Sequence, residues 1–173
     1  LISNEKDVDI LCEKCLQYMY SNNTEGLHFG FLADLPKSLS PITPKDNLLS
    51  EYASKKINEL NLMYGNRFFC AIRKKTSNHE DGTFQGKERK RGAIEDFLFA
   101  VENHSTDDFT KIVGDIYKAK YFAALDDDTK PDIDSITQLV SVLENPLYEP
   151  KINSEKNIVH FAHTRQKDRP VRL

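Results

Sequence analysis

Residues 121–131, Tyr-Phe-Ala-Ala-Leu-Asp-Asp-Asp-Thr-Lys-Pro, limit the possible folds more than any other stretch of the chain. Five consecutive apolar residues predict a buried strand, and it ends where three carboxylates and Pro131 follow, because proline cannot donate to a ladder. In an open α/β sheet ligands bind beyond the carboxyl ends of the strands, so the Asp turn is expected to face a crevice. Carboxylates that close repel one another unless a cation sits among them. Hard oxygen ligands of this kind suit Mg²⁺ or Mn²⁺, usually shared with a substrate phosphate.

A second reading of the same turn stays open. Asp132 or Asp134 would cap a helix running through Ile136, Leu139, Val140 and Leu143, and the other acids would simply be solvated. Two named motifs are excluded. A phosphatase of the haloacid-dehalogenase type requires Thr two places after its second Asp, where Lys130 stands, and an EF-hand loop counted from Asp126 requires Gly where Pro131 stands.

The chain of 173 residues is expected to form one domain, residues 1–173, large enough to bury a core. A hydrophobic content of 39% and a mean hydropathy of -0.57 describe a polar, soluble chain, and no apolar run approaches the roughly eighteen residues of a membrane span. No signal peptide is visible and Leu1 is not a natural start, so the expectation is a piece of something larger. The net charge of -3 argues against a nucleic-acid partner. Cys12 and Cys15 resemble half a zinc or redox motif, but they lie in a helical pattern with no second pair. With Cys70 they are expected to be buried thiols in a reducing compartment.

In chain order, helical spacing predicts helices over residues 5–20 and 46–64, the second stopped by Gly65. Strands are expected over 27–33, ending at Asp34, and 68–72, ending at Arg73, with a polar loop from 74 to 86. A third helix presents Ile94, Phe97, Leu98 and Val101. A short strand or turn is expected around Ile112 and Val113, and a last strand over 157–162, followed by a basic tail without pattern. Alternating strands and helices predict an α/β fold with a mostly parallel sheet. The third helix opens on Lys87, Arg89, Lys90 and Arg91. Positive charge there opposes the helix dipole and suits a bound anion such as a diphosphate; a solvated helix start is the plainer alternative.

Three pieces in this order, the strand ending in Asp34, the run Gly86-Lys87-Glu88-Arg89-Lys90-Arg91-Gly92, and Leu125-Asp126-Asp127-Asp128-Thr129 before Asn145-Pro146-Leu147, support a family assignment. Together they resemble the glycosyltransferase domain of the cyclic β-1,2-glucan synthases, inverting nucleotide-sugar transferases of GT-A fold, over most of residues 5–160. The resemblance implies a Rossmann-like GT-A fold, incomplete here, and a donor-binding part of a metal-dependent transferase. It implies that Asp126 and Asp128 hold Mg²⁺ or Mn²⁺ on the donor diphosphate, that Asp127 is a variable residue, that Asp34 faces the nucleoside, and that Lys90 and Arg91 lie near the nucleotide.

The implied partners are UDP-glucose, a glucan acceptor, and the rest of a larger membrane-associated polypeptide on the cytoplasmic side of a bacterial inner membrane. Transferases of this fold begin with a strand before the first helix, and this chain starts at the end of it. Its absence would leave a sheet edge exposed, a route to a homodimer. The later half, with the acceptor site and general base, is expected to lie outside this stretch, so the fragment alone is expected not to turn over. The rival reading is a non-catalytic α/β interaction module. The transferase reading requires Asp126, Asp128 and Lys90 or Arg91 to converge on one crevice; the module reading lets them face different sides.

Overall fold

The computed structural model describes residues 1–126 and 128–146, together with the backbone of 150–153, 158–161 and 171–172. The chain divides into two compact units, 1–130 and 131–173. In the first, helix α1 (Glu5–Ser21) is capped by Asn4, whose side chain accepts from the Asp7 amide. Strand β1 (Phe29–Ala33) follows, then helix α2 (Pro44–Tyr64), closed behind by Gly65 at φ 79°. Strand β2 (Phe68–Arg73) leads into a short hairpin, β3 (Thr76–Asn78) and β4 (Thr83–Gln85). Helix α3 (Arg89–Asn103) and strand β5 (Phe109–Val113) complete the unit.

The central sheet has the order β1-β2-β5. β1 and β2 are parallel, Phe29 opposite Phe68 and Ala33 opposite Ile72, whereas β5 runs antiparallel to β2. The architecture is therefore α/β with a small mixed sheet, and the expected mostly parallel sheet is reduced to one parallel pair.

Strand alternation sorts the two faces. Phe29, Phe31 and Ala33 of β1 and Phe68, Cys70 and Ile72 of β2 pack with Val8, Cys12, Cys15 and Met19 of α1 and Leu49, Ala53, Ile57 and Leu60 of α2. On the other face Ala71 packs with Phe97 and Ala100 of α3, joined by Leu32 and Phe69. Of the apolar face expected for α3, Phe97 is buried and Val101 packs beside it, while Leu98 is exposed; Gly92, Ala93 and Ala100 complete the buried side. In α2, Leu48 and Met63 likewise point outward.

Residues 121–125, expected as the central strand, form no strand. Phe122, Ala123, Ala124 and Leu125 are exposed, and the segment runs along α3 with Phe122 edge-on to Phe97, ring centroids 5.5 Å apart. A strand exists only where a neighbouring edge pairs with it. β1 pairs through one edge with β2, and beyond its end the Asp34 carbonyl accepts the Ile2 amide at 3.0 Å.

The loop after β1 is locked to the hairpin by a buried charge pair. Thr43 and Asp46 form a reciprocal capping box at the start of α2. Lys75 Nζ, in turn, lies 2.7 Å from Asp46 Oδ2 and 2.8 Å from Ser38 Oγ. The two charged side chains are 2% and 3% exposed. Burial pushes the Asp46 carboxyl up, but the hydrogen bonds from Lys75 and Thr43 outweigh it and leave it below the ordinary aspartate value.

The second unit consists of helix α4 (Ser135–Leu143) and an antiparallel sheet β6 (Pro150–Asn153), β7 (Ile158–Phe161) and β8 (Val171–Arg172). The last expected strand coincides with β7; Leu147 and residues 162–170, including most of the basic tail, lie outside the described residues. Among the described residues no helix is long and apolar enough to cross a membrane.

Two predictions follow from the packing of the first unit. Lys75→Ala strands the Asp46 carboxylate in the core and should cost about 3 kcal/mol in urea unfolding at pH 7. Because the folded Asp46 carboxyl is depressed, its contribution is present at neutral pH and lost as pH falls below about 4, so the urea midpoint of the natural protein should drop there and that of the variant should drop less. An equal decline in both would remove Asp46 as the cause. The three cysteines are buried and free, and burial pushes the Cys12 and Cys70 thiols up to about 11 and about 12. A thiol reagent at pH 8 should therefore modify none in the native protein and all three in denaturant.

Candidate functional site

Asp34 and Arg73 occupy matching positions just past and at the ends of two neighbouring parallel strands, both on the face that α3 covers. Their side chains meet as a fork. Arg73 Nε donates to Asp34 Oδ1 at 2.7 Å and Nη2 to Asp34 Oδ2 at 2.9 Å. The other three N–H groups are used as fully: Nη1 donates to Asp96 Oδ2 at 2.9 Å and to the Lys87 carbonyl at 2.8 Å, and Nη2 donates to the Arg89 carbonyl at 3.1 Å. The guanidinium is 2% exposed. Burial lowers its pKa, and the carboxylates of Asp34 and Asp96 more than reverse this, so it stays charged.

Those two carbonyl bonds hold the start of α3 in an unusual shape. Glu88 and Arg89 both have left-handed backbone, φ 52° and 46°, which costs a residue with a side chain roughly 1–2 kcal/mol each. No side chain caps this helix, and no acid lies in its first turn. Arg89, Lys90 and Arg91 stand beside amides that have no intrahelical acceptor. Glycine is required on both sides of the turn. A Cβ on Gly92 would lie 2.2 Å from the Lys87 carbonyl oxygen, and one on Gly86 would lie 2.5 Å from Asp34 Oδ1.

The turn delivers Lys90 to the acidic segment, where its ammonium pairs with Asp126; the two side chains are 55% and 62% exposed. From Asp126 the chain makes a tight turn in which the Thr129 amide donates to the Asp126 carbonyl at 3.0 Å, and the Thr129 carbonyl accepts from Tyr18 Oη of α1 at 3.0 Å. The acidic turn is thus fixed by α3 at its start and by α1 at its end. Phe122 on Phe97, and Phe97 stacked on Phe69 with centroids 5.5 Å apart, tie the preceding segment to the sheet.

The residues singled out from the sequence are distributed as follows. Lys90 and Asp126 touch, and Asp128 is exposed two positions further along the same turn. Asp34 is committed to Arg73 through both oxygens while remaining about a fifth exposed. Arg91 points along its own helix to Glu95, 2.9 Å away. Asp127 lies outside the described residues. Among the described residues no group of three or more His, Cys, Asp or Glu side chains is arranged to hold a metal. Two exposed carboxylates separated by one residue nevertheless match the donor set of Mg²⁺ or Mn²⁺, which keeps one or two carboxylates and completes its shell with phosphate oxygens and water.

Of the two acids expected as caps of the fourth helix, the structure puts Asp134 at the cap position. Its side chain makes no cap hydrogen bond. Sequence reasoning missed Arg73, Asp96 and the two glycines. The available signal was alternation: Arg73 continues the Phe69, Ala71 side of β2, so it had to be buried, and Asp34 occupies the same side of the adjoining strand.

The consequence for stability separates two arginines only 18 positions apart. Arg73→Ala leaves two carboxylates and two carbonyls without their donor and should cost about 3–5 kcal/mol in urea unfolding. Arg91→Ala removes only exposed pairs and should leave the midpoint unchanged. Equal effects would contradict the assignment of Arg73 as the anchor.

Comparison with known proteins yields one informative similarity. Over 158 residues, 88% of this chain, it is 28% identical to the cyclic β-(1,2)-glucan synthase NdvB of Rhizobium meliloti (strain 1021). The matched stretch is 6% of NdvB, so the chain spans a small part of that relative's length. No protein-family profile and no solved structure matches the chain. The chain is accordingly related in sequence to one short region of a glucan synthase.

Proposed function

We propose that this chain is the donor-binding portion of a metal-dependent, inverting glucosyltransferase of GT-A type, which takes glucose from UDP-glucose for β-1,2-glucan synthesis. The observation that supports it best is the meeting of Lys90 with Asp126. The basic turn and the acidic turn share one location, as a diphosphate–metal site needs and as an interaction module with separate charged faces does not. The sequence relationship to NdvB points to the same chemistry.

In this reading the chain's own groups divide the donor between them. The uncapped amides of α3, with Lys90 and Arg91, take the diphosphate oxygens. Asp34, held rigid by Arg73 and still partly exposed, meets the nucleoside. Asp126 and Asp128 would hold Mg²⁺ or Mn²⁺. Once bound, that ion supplies Lewis-acid neutralisation of the charge that develops on the departing diphosphate. Inversion also needs a base that deprotonates the attacking sugar hydroxyl. That base and the glucan acceptor site belong, in this proposal, to the remainder of a longer, membrane-associated polypeptide acting at the cytoplasmic face.

Isothermal titration of UDP into the chain tests the reading. Heat should appear only when Mn²⁺ is present and should vanish in Asp128→Ala. Binding that ignores the metal, or an absence of heat in every condition, would contradict a metal-dependent donor site here.

A further inference from the structure

Lys90 and Asp126 have each been given a task in the proposed site, and each is occupied by the other. A carboxylate cannot give the same lone pairs to an ammonium and to a divalent ion, and an ammonium bound to a carboxylate has fewer donors for phosphate oxygens. We propose that the Lys90–Asp126 pair is a latch that holds the two halves of the site against each other until a cation takes the carboxylate or a polyanion takes the ammonium. The inference rests on the donor-site reading and adds its regulation.

Geometry lets the latch open without moving the backbone. The backbone on each side is held independently of the pair: Arg73 fixes the carbonyls of Lys87 and Arg89, and the Tyr18 hydroxyl fixes the far end of the acidic turn. Opening the latch therefore requires only the long Lys90 side chain to swing, with α3 and the turn left in place. A metal at Asp126 and Asp128 releases the Lys90 ammonium. A diphosphate then finds that ammonium free beside the α3 amides, so each ligand removes the obstacle to the other, and their affinities are reciprocally coupled.

The pair is exposed, which bounds the effect. Exposed pairs are weak, so removing the lysine should tighten Mn²⁺ binding in the absence of nucleotide by only about two- to fivefold. The same change should weaken UDP binding in the presence of Mn²⁺ by about tenfold or more, because a charge-assisted bond to phosphate is lost. Opposite signs from one substitution are the signature of a latch.

The experiment titrates Mn²⁺ alone, and UDP with Mn²⁺, into the natural chain, Lys90→Met and Asp128→Ala. Alongside it, lysine labelling with acetic anhydride is read by mass spectrometry with and without Mn²⁺. The latch predicts tighter Mn²⁺ and weaker UDP for Lys90→Met. It also predicts that Mn²⁺ alone raises the labelling of Lys90 and leaves unchanged that of Lys118, which is paired with Asp115 at 3.1 Å. If Mn²⁺ binds and is lost in Asp128→Ala while Lys90→Met binds it no more tightly and Lys90 labelling stays constant, the latch is overturned and the donor site stands. If Mn²⁺ binds neither the natural chain nor Lys90→Met, both fall.

Discussion

A guanidinium removed from water is tolerated only when each of its five N–H groups finds an oxygen, and that requirement at Arg73 ties together everything near the candidate site. Its partners come from the end of β1, the loop before α3, the first turn of α3 and the helix body. Losing any one leaves a buried donor unpaired. The strands thereby fix the position of α3, and α3 fixes where Lys90 stands. The left-handed residues Glu88 and Arg89 persist because the carbonyls beside them are committed to this one cation.

Local patterns were legible in the sequence wherever burial follows a short period. Helix α1 falls within a residue or two of its expected bounds, and α2 begins two positions early because Pro44 suits a first helical turn and Thr43 supplies the cap. Strands β1, β2 and β5 lie where apolar runs put them. The hairpin of β3 and β4 was not visible, since two three-residue strands with Phe84 as their one apolar residue carry no apolar alternation; only the Asp81-Gly82 turn marked it.

The failure at residues 121–125 has a different origin. Tyr-Phe-Ala-Ala-Leu satisfies every local criterion for a buried strand, but pairing is a property of an edge elsewhere in the chain, and local composition is silent about whether that edge is offered. Phe122 finds Phe97 instead. The charged residues were legible as candidates and not as an arrangement. The family resemblance singled out Asp34, Lys90, Arg91, Asp126 and Asp128. That Asp34 serves Arg73 and that Lys90 reaches Asp126 depends on strand register and on the close approach allowed by Gly86 and Gly92.

The account's central claim is spatial: the turn anchored by Arg73 and the acidic turn after Leu125 form one site for a metal-bound diphosphate. Paramagnetic broadening by Mn²⁺ with UDP in the amide spectrum of the labelled chain tests it directly. The account predicts that resonances of residues 88–91 and 126–129 fade first, while those of α2 and of the β3–β4 hairpin stay sharp. Broadening centred elsewhere, or confined to one of the two turns, would contradict it.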